Sequence, residues 1–259
     1  NGGNNVGGLV AIGYEACKYT TNGGNTAVGY KALTANTGGY WNTAFGSQAL
    51  AANTTHTHNS AFGHHALTAA TSSFNDAFGW NALLSNTSGN NNAAFGISAG
   101  RNITSGAENV CVGSSAGSAL TTQTKNVAIG RECLQRFKSN NNVAIGRQAM
   151  RGVTDQSTGG NNVAVGYRAA NALTTGHDNV FVGYDVARNV TTGQNLVNIG
   201  FEANANCTTG SGHIAIGYTA LKGTSNSPLT GASIVAIGDA ALRALEGNAS
   251  YLVAIGAGA

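Results

Sequence analysis

Apolar and small residues alternate along this chain in a short run that returns from end to end and always closes on glycine. In its fullest form the run reads Asn-Val-Ala-Ile-Gly, as over Asn126–Gly130 and Asn142–Gly146. Its glycine recurs fifteen times between Gly13 and Gly256, at steps of 16 or 17 residues that lengthen to 20 after Gly146, 21 after Gly217 and 18 after Gly238. Alternation with period two and β-branched residues predict a short strand in each unit. A short fixed period predicts a solenoid, in which each unit buries its apolar side against its neighbours. The expected fold is therefore all-β: a parallel β-solenoid of about 15 coils, covering residues 1–259 as one continuous repeat domain.

Counting from the glycine separates the columns. The position just before it is apolar in every unit, and we expect Ile12, Phe45, Phe62, Phe78, Phe95, Ile129, Ile145, Ile216 and Ile237 to form an inward core ladder, with the phenylalanines as an aromatic core stack. The position three before is mostly β-branched from Val110 onward but polar at Thr26, Thr43, Ser60 and Asp76. Two before the glycine stands Ala in twelve of fifteen units, and three after it Ala in thirteen. A column held to Ala implies close packing, either by another part of the same coil or by another chain. Each coil is expected to have two short strands joined at the glycine. That residue is needed either for positive φ or because a neighbouring chain presses there.

Four before the glycine is Asn in ten units: Asn25, Asn42, Asn59, Asn75, Asn92, Asn109, Asn126, Asn142, Asn162 and Asn179. In a stack of coils one such column predicts an amide ladder along the axis, a structural role. Strict register argues against disorder, although charged residues make up only 9% of the chain. Thirteen Lys and Arg against ten acidic residues form no basic stripe, so no nucleic-acid partner is expected. No 18-residue apolar run predicts a membrane span in this segment. The chain opens and closes inside repeat-like sequence and reads as a piece of a longer fibre protein.

Candidate chemistry is sparse. Cys17, Cys111, Cys133 and Cys207 share no column and form no Cys-x-x-Cys, which predicts buried filler rather than disulfides or zinc ligands. His56 and His58, followed by His64 and His65, are the only clustered metal-type residues; an axial metal between chains competes there with a plain polar loop. Too few acidic residues exist for a calcium-binding solenoid, and no cofactor is expected. Asn-x-Ser/Thr triplets at Asn53, Asn86, Asn102, Asn189, Asn206 and Asn248 matter only if the chain is secreted. Tyr14, Tyr30, Trp80, Tyr167, Tyr184, Phe201 and Tyr218 follow the glycine, where they either pack against a neighbouring chain or offer rings to sugars. The loops Thr34–Tyr40 and Leu84–Asn91 should face solvent, and the longest, Arg151–Gly160 and Gly223–Ser233, are candidate recognition sites. No shared column carries Ser, His and Asp together, so no enzyme is expected.

The units resemble the head repeats of YadA-like trimeric autotransporter adhesins and similar repeats in phage tail-fibre shafts. The resemblance rests on the repeated phrase, as in Val127–Gly130 with Arg131–Leu134, and on the Ala that usually follows the glycine by three. It covers essentially the whole chain. It implies a left-handed parallel β-roll, three rolls around one axis, and an extracellular place on a cell surface or virion. Some phage tail fibres use His-x-His to hold iron. The family's neck and membrane anchor are absent here, and its unit is somewhat shorter. Fifteen coils would make a rod of about 70 Å, with the Ala columns meeting near the trimer axis. The function expected is a structural or adhesive fibre segment whose partners are copies of itself and a host-surface glycan or protein. A self-assembling filament of single solenoids is the first rival. An ice-binding surface is the second, disfavoured because the threonines look irregularly placed.

Overall fold

Strand formation follows the alternation residue for residue. The computed structural model describes residues 7–154, 157–224 and 229–259, and the chain divides into two compact units, Asn1–Lys125 and Asn126–Ala259. The first unit holds β1 (Val10–Ile12), β2 (Thr26–Val28), β3 (Thr43–Phe45), β4 (Ser60–Phe62), β5 (Asp76–Phe78), β6 (Ala93–Phe95) and β7 (Val110–Val112). The second holds β8 (Val127–Ile129), β9 (Val143–Ile145), β10 (Val163–Val165), β11 (Val180–Val182), β12 (Val197–Ile199), β13 (Ile214–Ile216), β14 (Val235–Ile237) and β15 (Val253–Ile255). In each unit every strand pairs in parallel with the next, column on column, as Thr43↔Ser60, Ala44↔Ala61 and Phe45↔Phe62. Each is a parallel β-solenoid, and no helix occurs among the described residues.

The facing of the strands is the reverse of the expected one. The Ala column points inward: Ala27, Ala44, Ala61, Ala77 and Ala94 in the first unit, and Ala128, Ala144 and Ala164 in the second, are wholly buried. Val, Ile and Phe, on either side of it along the strand, point outward. Phe45 is 46% exposed, Phe95 41% and Ile145 36%, while Phe62, Phe78, Ile216 and Ile237 are half-buried and Ile12 and Ile129 exposed. The cause is the narrow bore of the coil. The strand faces the segment just after the glycine, and in one coil Ala44, Ala49, Leu50 and Asn53 already fill the interior with no accessible surface. Where Leu occupies the facing turn, as Leu50 does, a methyl suffices at the strand's midpoint; where that turn carries Ala187, the midpoint takes Phe181, also wholly buried. The Ala columns therefore pack within one coil and do not meet at any axis between chains.

The second expected strand is a chain of turns. Residues two and four after the glycine adopt left-handed φ, +60° at Gln48 and +51° at Leu50, and so does the residue five before it, +57° at Trp41. Each such non-glycine residue costs roughly 1–2 kcal/mol. The return lies in hydrogen bonds to both neighbouring coils. Gln48 N donates to Tyr30 O (2.8 Å), Leu50 N to Ala66 O (3.1 Å), and Ala49 N closes the turn onto Gly46 O (3.3 Å). At the motif glycine both sequence readings meet in one place. Gly46 has φ +135°, and a Cβ there would lie 2.5 Å from the carbonyl oxygen of Gly63. The pressing neighbour is the next coil of the same chain.

A further inward column, seven after the glycine, escaped the sequence reading. In part of the chain it trades volume with the column four after, although Leu134 with Phe137 is bulky in both. Leu33 with Asn36, Leu50 with Asn53 and Leu83 with Asn86 give way to Gly100 with Ile103 and Gly117 with Leu120, all buried. A Cβ on Gly100 would stand 3.0 Å from both Ile103 Cδ1 and Leu83 Cδ2, so the bulk has moved from one column to the other.

The asparagine column forms the amide ladder expected of it. In the first unit each Asn Nδ2 donates to Oδ1 of the Asn one coil earlier, at 3.2, 3.3, 3.4, 3.2 and 3.1 Å from Asn42 through Asn109. The same Oδ1 atoms also accept the backbone N–H of the next Asn, at 2.9 Å from Asn42 and 3.1 Å from Asn59. In the second unit Asn142, Asn162 and Asn179 repeat the side-chain bond at 3.4, 3.2 and 2.9 Å. The amide also ties down the loop, since Asn25 Nδ2 donates to Gly39 O at 2.8 Å and Asn42 Nδ2 to His56 O at 2.9 Å. The column ends where Leu196 N caps Asn179 Oδ1 at 2.9 Å, and His213 and Ile234 take the next two places.

Candidate interaction surface

Because the large apolar residues face out, the surface carries ladders. In register, one residue sits above its equivalent at the strand spacing of roughly 4.8 Å. The rings of Phe45, Phe62, Phe78 and Phe95 stack at centroid separations of 5.8, 4.6 and 4.8 Å, as a column on the outer face rather than a core stack. In the second unit the same face is aliphatic on both outward columns: Val127 with Ile129, Val143 with Ile145, Val163 with Val165, Val180 with Val182, Val197 with Ile199, Ile214 with Ile216 and Val235 with Ile237. In β2 to β5 the column beside the −1 residues is polar instead: Thr26, Thr43, Ser60 and Asp76.

The aromatic column after the glycine also faces solvent. Tyr14 stacks on Tyr30 at 5.5 Å, and Tyr167, Tyr184, Phe201 and Tyr218 stack in sequence at 5.0, 5.3 and 5.2 Å. The Arg147 and Arg168 guanidinium groups lie 5.8 Å from the Tyr167 ring. A second aromatic group, unseen in the sequence columns, lies at the left-handed corner five before the glycine. Trp41, His58 and Phe74 occupy that corner in three successive coils, and Tyr40 leans on them.

The loops mix burial with exposure. Thr34–Tyr40 and Leu84–Asn91 were expected to face solvent, yet Asn36, Gly39, Asn86 and Gly89 are buried. Threonine is more regular than the sequence spacing suggested. Thr21, Thr37, Thr54, Thr71, Thr87, Thr104 and Thr121 stand in one column eight after the glycine. Several of their hydroxyls donate to the threonine carbonyl of the next coil, as Thr87 to Thr104 O (3.2 Å) and Thr104 to Thr121 O (3.2 Å), sealing the turn edge. Of the longest loops, residues 155–156 and 225–228 lie outside the described residues.

All four cysteines are buried and free. Burial pushes the Cys111 thiol up to about 12 and Cys207 to about 11, so neither is a nucleophile at neutral pH. Cys133 Sγ donates to Ala144 O at 3.0 Å. Cys207 Sγ lies 3.7 Å from His213 Nδ1, whose Nε2–H donates to Gly231 O at 2.9 Å. Burial lowers the His213 pKa, opposed by that carbonyl. His56 and His58 part company. The ring of His58 stands between Trp41 and Phe74, 4.8 and 4.9 Å from them, with Nδ1 2.9 Å from Thr57 Oγ1, whereas His56 Nδ1 is buried with no partner. No group of three or more His, Cys, Asp or Glu that could hold a metal ion occurs among the described residues. Asn53 and Asn86, two of the Asn-x-Ser/Thr positions, are buried.

No family model, no curated protein and no solved structure matches the chain.

Proposed function

We propose that this chain is a structural and adhesive fibre segment, extracellular on a bacterial surface or virion, in which copies of the solenoid associate, most simply as a homotrimer. The observation that carries the reading is the doubly aliphatic outward face of β8–β14. Seven successive coils present Val or Ile at both outward positions, with Ile129 and Ile145 each 36% exposed. Exposed apolar surface of that continuity marks an interaction site, and a partner carrying the same in-register ladder fits it ridge for ridge. This moves the association face from the Ala columns to the Val/Ile columns. The resemblance to trimeric adhesin and tail-fibre repeats supplies the number three. The adhesive half rests on the exposed aromatic ladders, which a purely mechanical spacer does not need.

The test is a double substitution, Ile145→Asn with Ile199→Asn, in the full chain. Both side chains point away from the coil interior, so the β signal in circular dichroism should persist while the sedimentation mass falls. A mass unchanged from that of the parent would place the association face elsewhere.

A further inference from the structure

The left-handed corner of β3 to β5 gathers large rings at the surface. The same column carries Gly24, Asn91, Asn141, Asn161 and Asn195, residue types that tolerate left-handed φ, and also Glu108, Lys125, Ser233 and Tyr251. Trp41, His58 and Phe74 sit there at φ +57°, +58° and +61°, and Trp41 and Phe74 are 61% and 54% exposed. Left-handed φ belongs to this corner in every coil; what sets β3 to β5 apart is three rings in successive coils, two of them exposed to solvent. The rings are ordered. Phe74 stacks on His58 with planes 19° apart, while Trp41 is turned 69° from His58 and 85° from Tyr40, stacking on neither. Trp41 lies across Gly24, where a Cβ would come 2.6 Å from its Cδ1.

Two residues further along each strand, on the same outward face, runs the polar row Thr26, Thr43, Ser60 and Asp76, in register. These side chains make no hydrogen bond or ion pair with other described residues. The surface therefore joins an unstacked tryptophan to unpartnered hydroxyls and one carboxylate, with no Lys or Arg in β3, β4 or β5.

We propose that this corner binds a neutral saccharide: the C–H face of one pyranose ring lies on Trp41, and its hydroxyls bond Thr26, Thr43 and Ser60. Aromatic faces take up polarised C–H groups, and free hydroxyls both donate and accept toward a polyol. Asp76 accepts from sugar hydroxyls and repels carboxylated sugars, which selects against anionic glycans. The proposal deepens the adhesive half of the function above and is independent of how many chains associate.

The experiment is saturation-transfer NMR on the full chain with methyl β-D-glucopyranoside, methyl β-D-galactopyranoside and methyl β-D-glucuronide as probes. Trp41→Asn places at the corner a residue the column already uses at Asn91, so the fold should survive; Ile97→Ala removes an exposed apolar side chain outside the corner as a control. Transfer to ring C–H protons of a neutral glycoside is expected. It should fall roughly tenfold in Trp41→Asn, the equivalent of about 1.4 kcal/mol, and stay unchanged in Ile97→Ala, with the glucuronide weaker throughout. No transfer to either neutral glycoside, equal transfer in Trp41→Asn, or a preference for the glucuronide would each overturn the site. Sedimentation mass measured on the same samples separates failure of this site from failure of the association.

Discussion

Single residues in this fold are held by what the adjacent coil does to them. Asn59 accepts two bonds from Asn75, at 3.0 and 3.4 Å, and donates to Asn42 Oδ1 and to Ser72 O. Asn59→Leu keeps the bulk but strands the buried N–H groups of Asn75, and should cost about 3 kcal/mol in denaturant unfolding. A loss below roughly 0.5 kcal/mol would mean that the ladder is decorative. His213 stands in the same column with no such ladder. Its pKa is lowered in the folded state, so its neutral form is the one that folding favours. The stability it allows is therefore full above the ordinary imidazole pKa of about 6.5. It declines as pH falls below that value, where the unfolded chain takes up a proton and the folded chain resists. His213→Asn should flatten the pH dependence of unfolding between neutral pH and pH 5; an unchanged slope would assign it to other groups.

At the scale of the coil, bulk can move between columns, as Gly100 with Ile103 and Gly117 with Leu120 show. Leu83→Gly alone opens a cavity and should cost about 4 kcal/mol. Adding Asn86→Ile, the pairing seen at Gly100 and Ile103, should restore a good part of it; strict additivity of the two changes would refute the compensation. In β12 the Ala column is broken by Asn198. Both amide atoms of its buried side chain, and both of Asn204, lack partners among the described residues. Asn198→Ala returns the column's usual residue and should stabilise the chain by about 1 kcal/mol, read as a higher denaturation midpoint. Alternation closing on glycine disclosed one strand in each coil, though at three residues it is shorter than alternation suggests and the second expected strand is absent, and the repeated Asn disclosed the ladder. The sequence misled on facing, because hydropathy places Phe45 and Ile145 inside whereas it is Ala44 and Ala144 that point into the coil. It misled again after the glycine, where Lys31 and Leu33 carry left-handed φ without the glycine that would announce it. The aromatic corner was hidden for the same reason: Trp41, His58 and Phe74 are adjacent only once the coils are stacked.

For the molecule as a whole, the inverted facing changes what association means. A solenoid with its large side chains inside needs no partner. This one fills its core mainly with Ala, Leu and Asn, with Phe137 and Phe181 as large exceptions, and leaves Val, Ile and Phe ladders outside. The aliphatic face of β8–β14 is the part best suited to a copy of itself, while β2–β5 interrupt theirs with Thr26, Thr43, Ser60 and Asp76. The function proposed above would place association on the second unit and recognition on the first. The most direct test is the sedimentation-equilibrium mass of the full chain at neutral pH over a range of concentrations. The account predicts an assembly of three times the 25.9 kDa chain mass. A mass of one chain at every concentration would contradict it, and open-ended growth with concentration would replace the closed trimer with a filament.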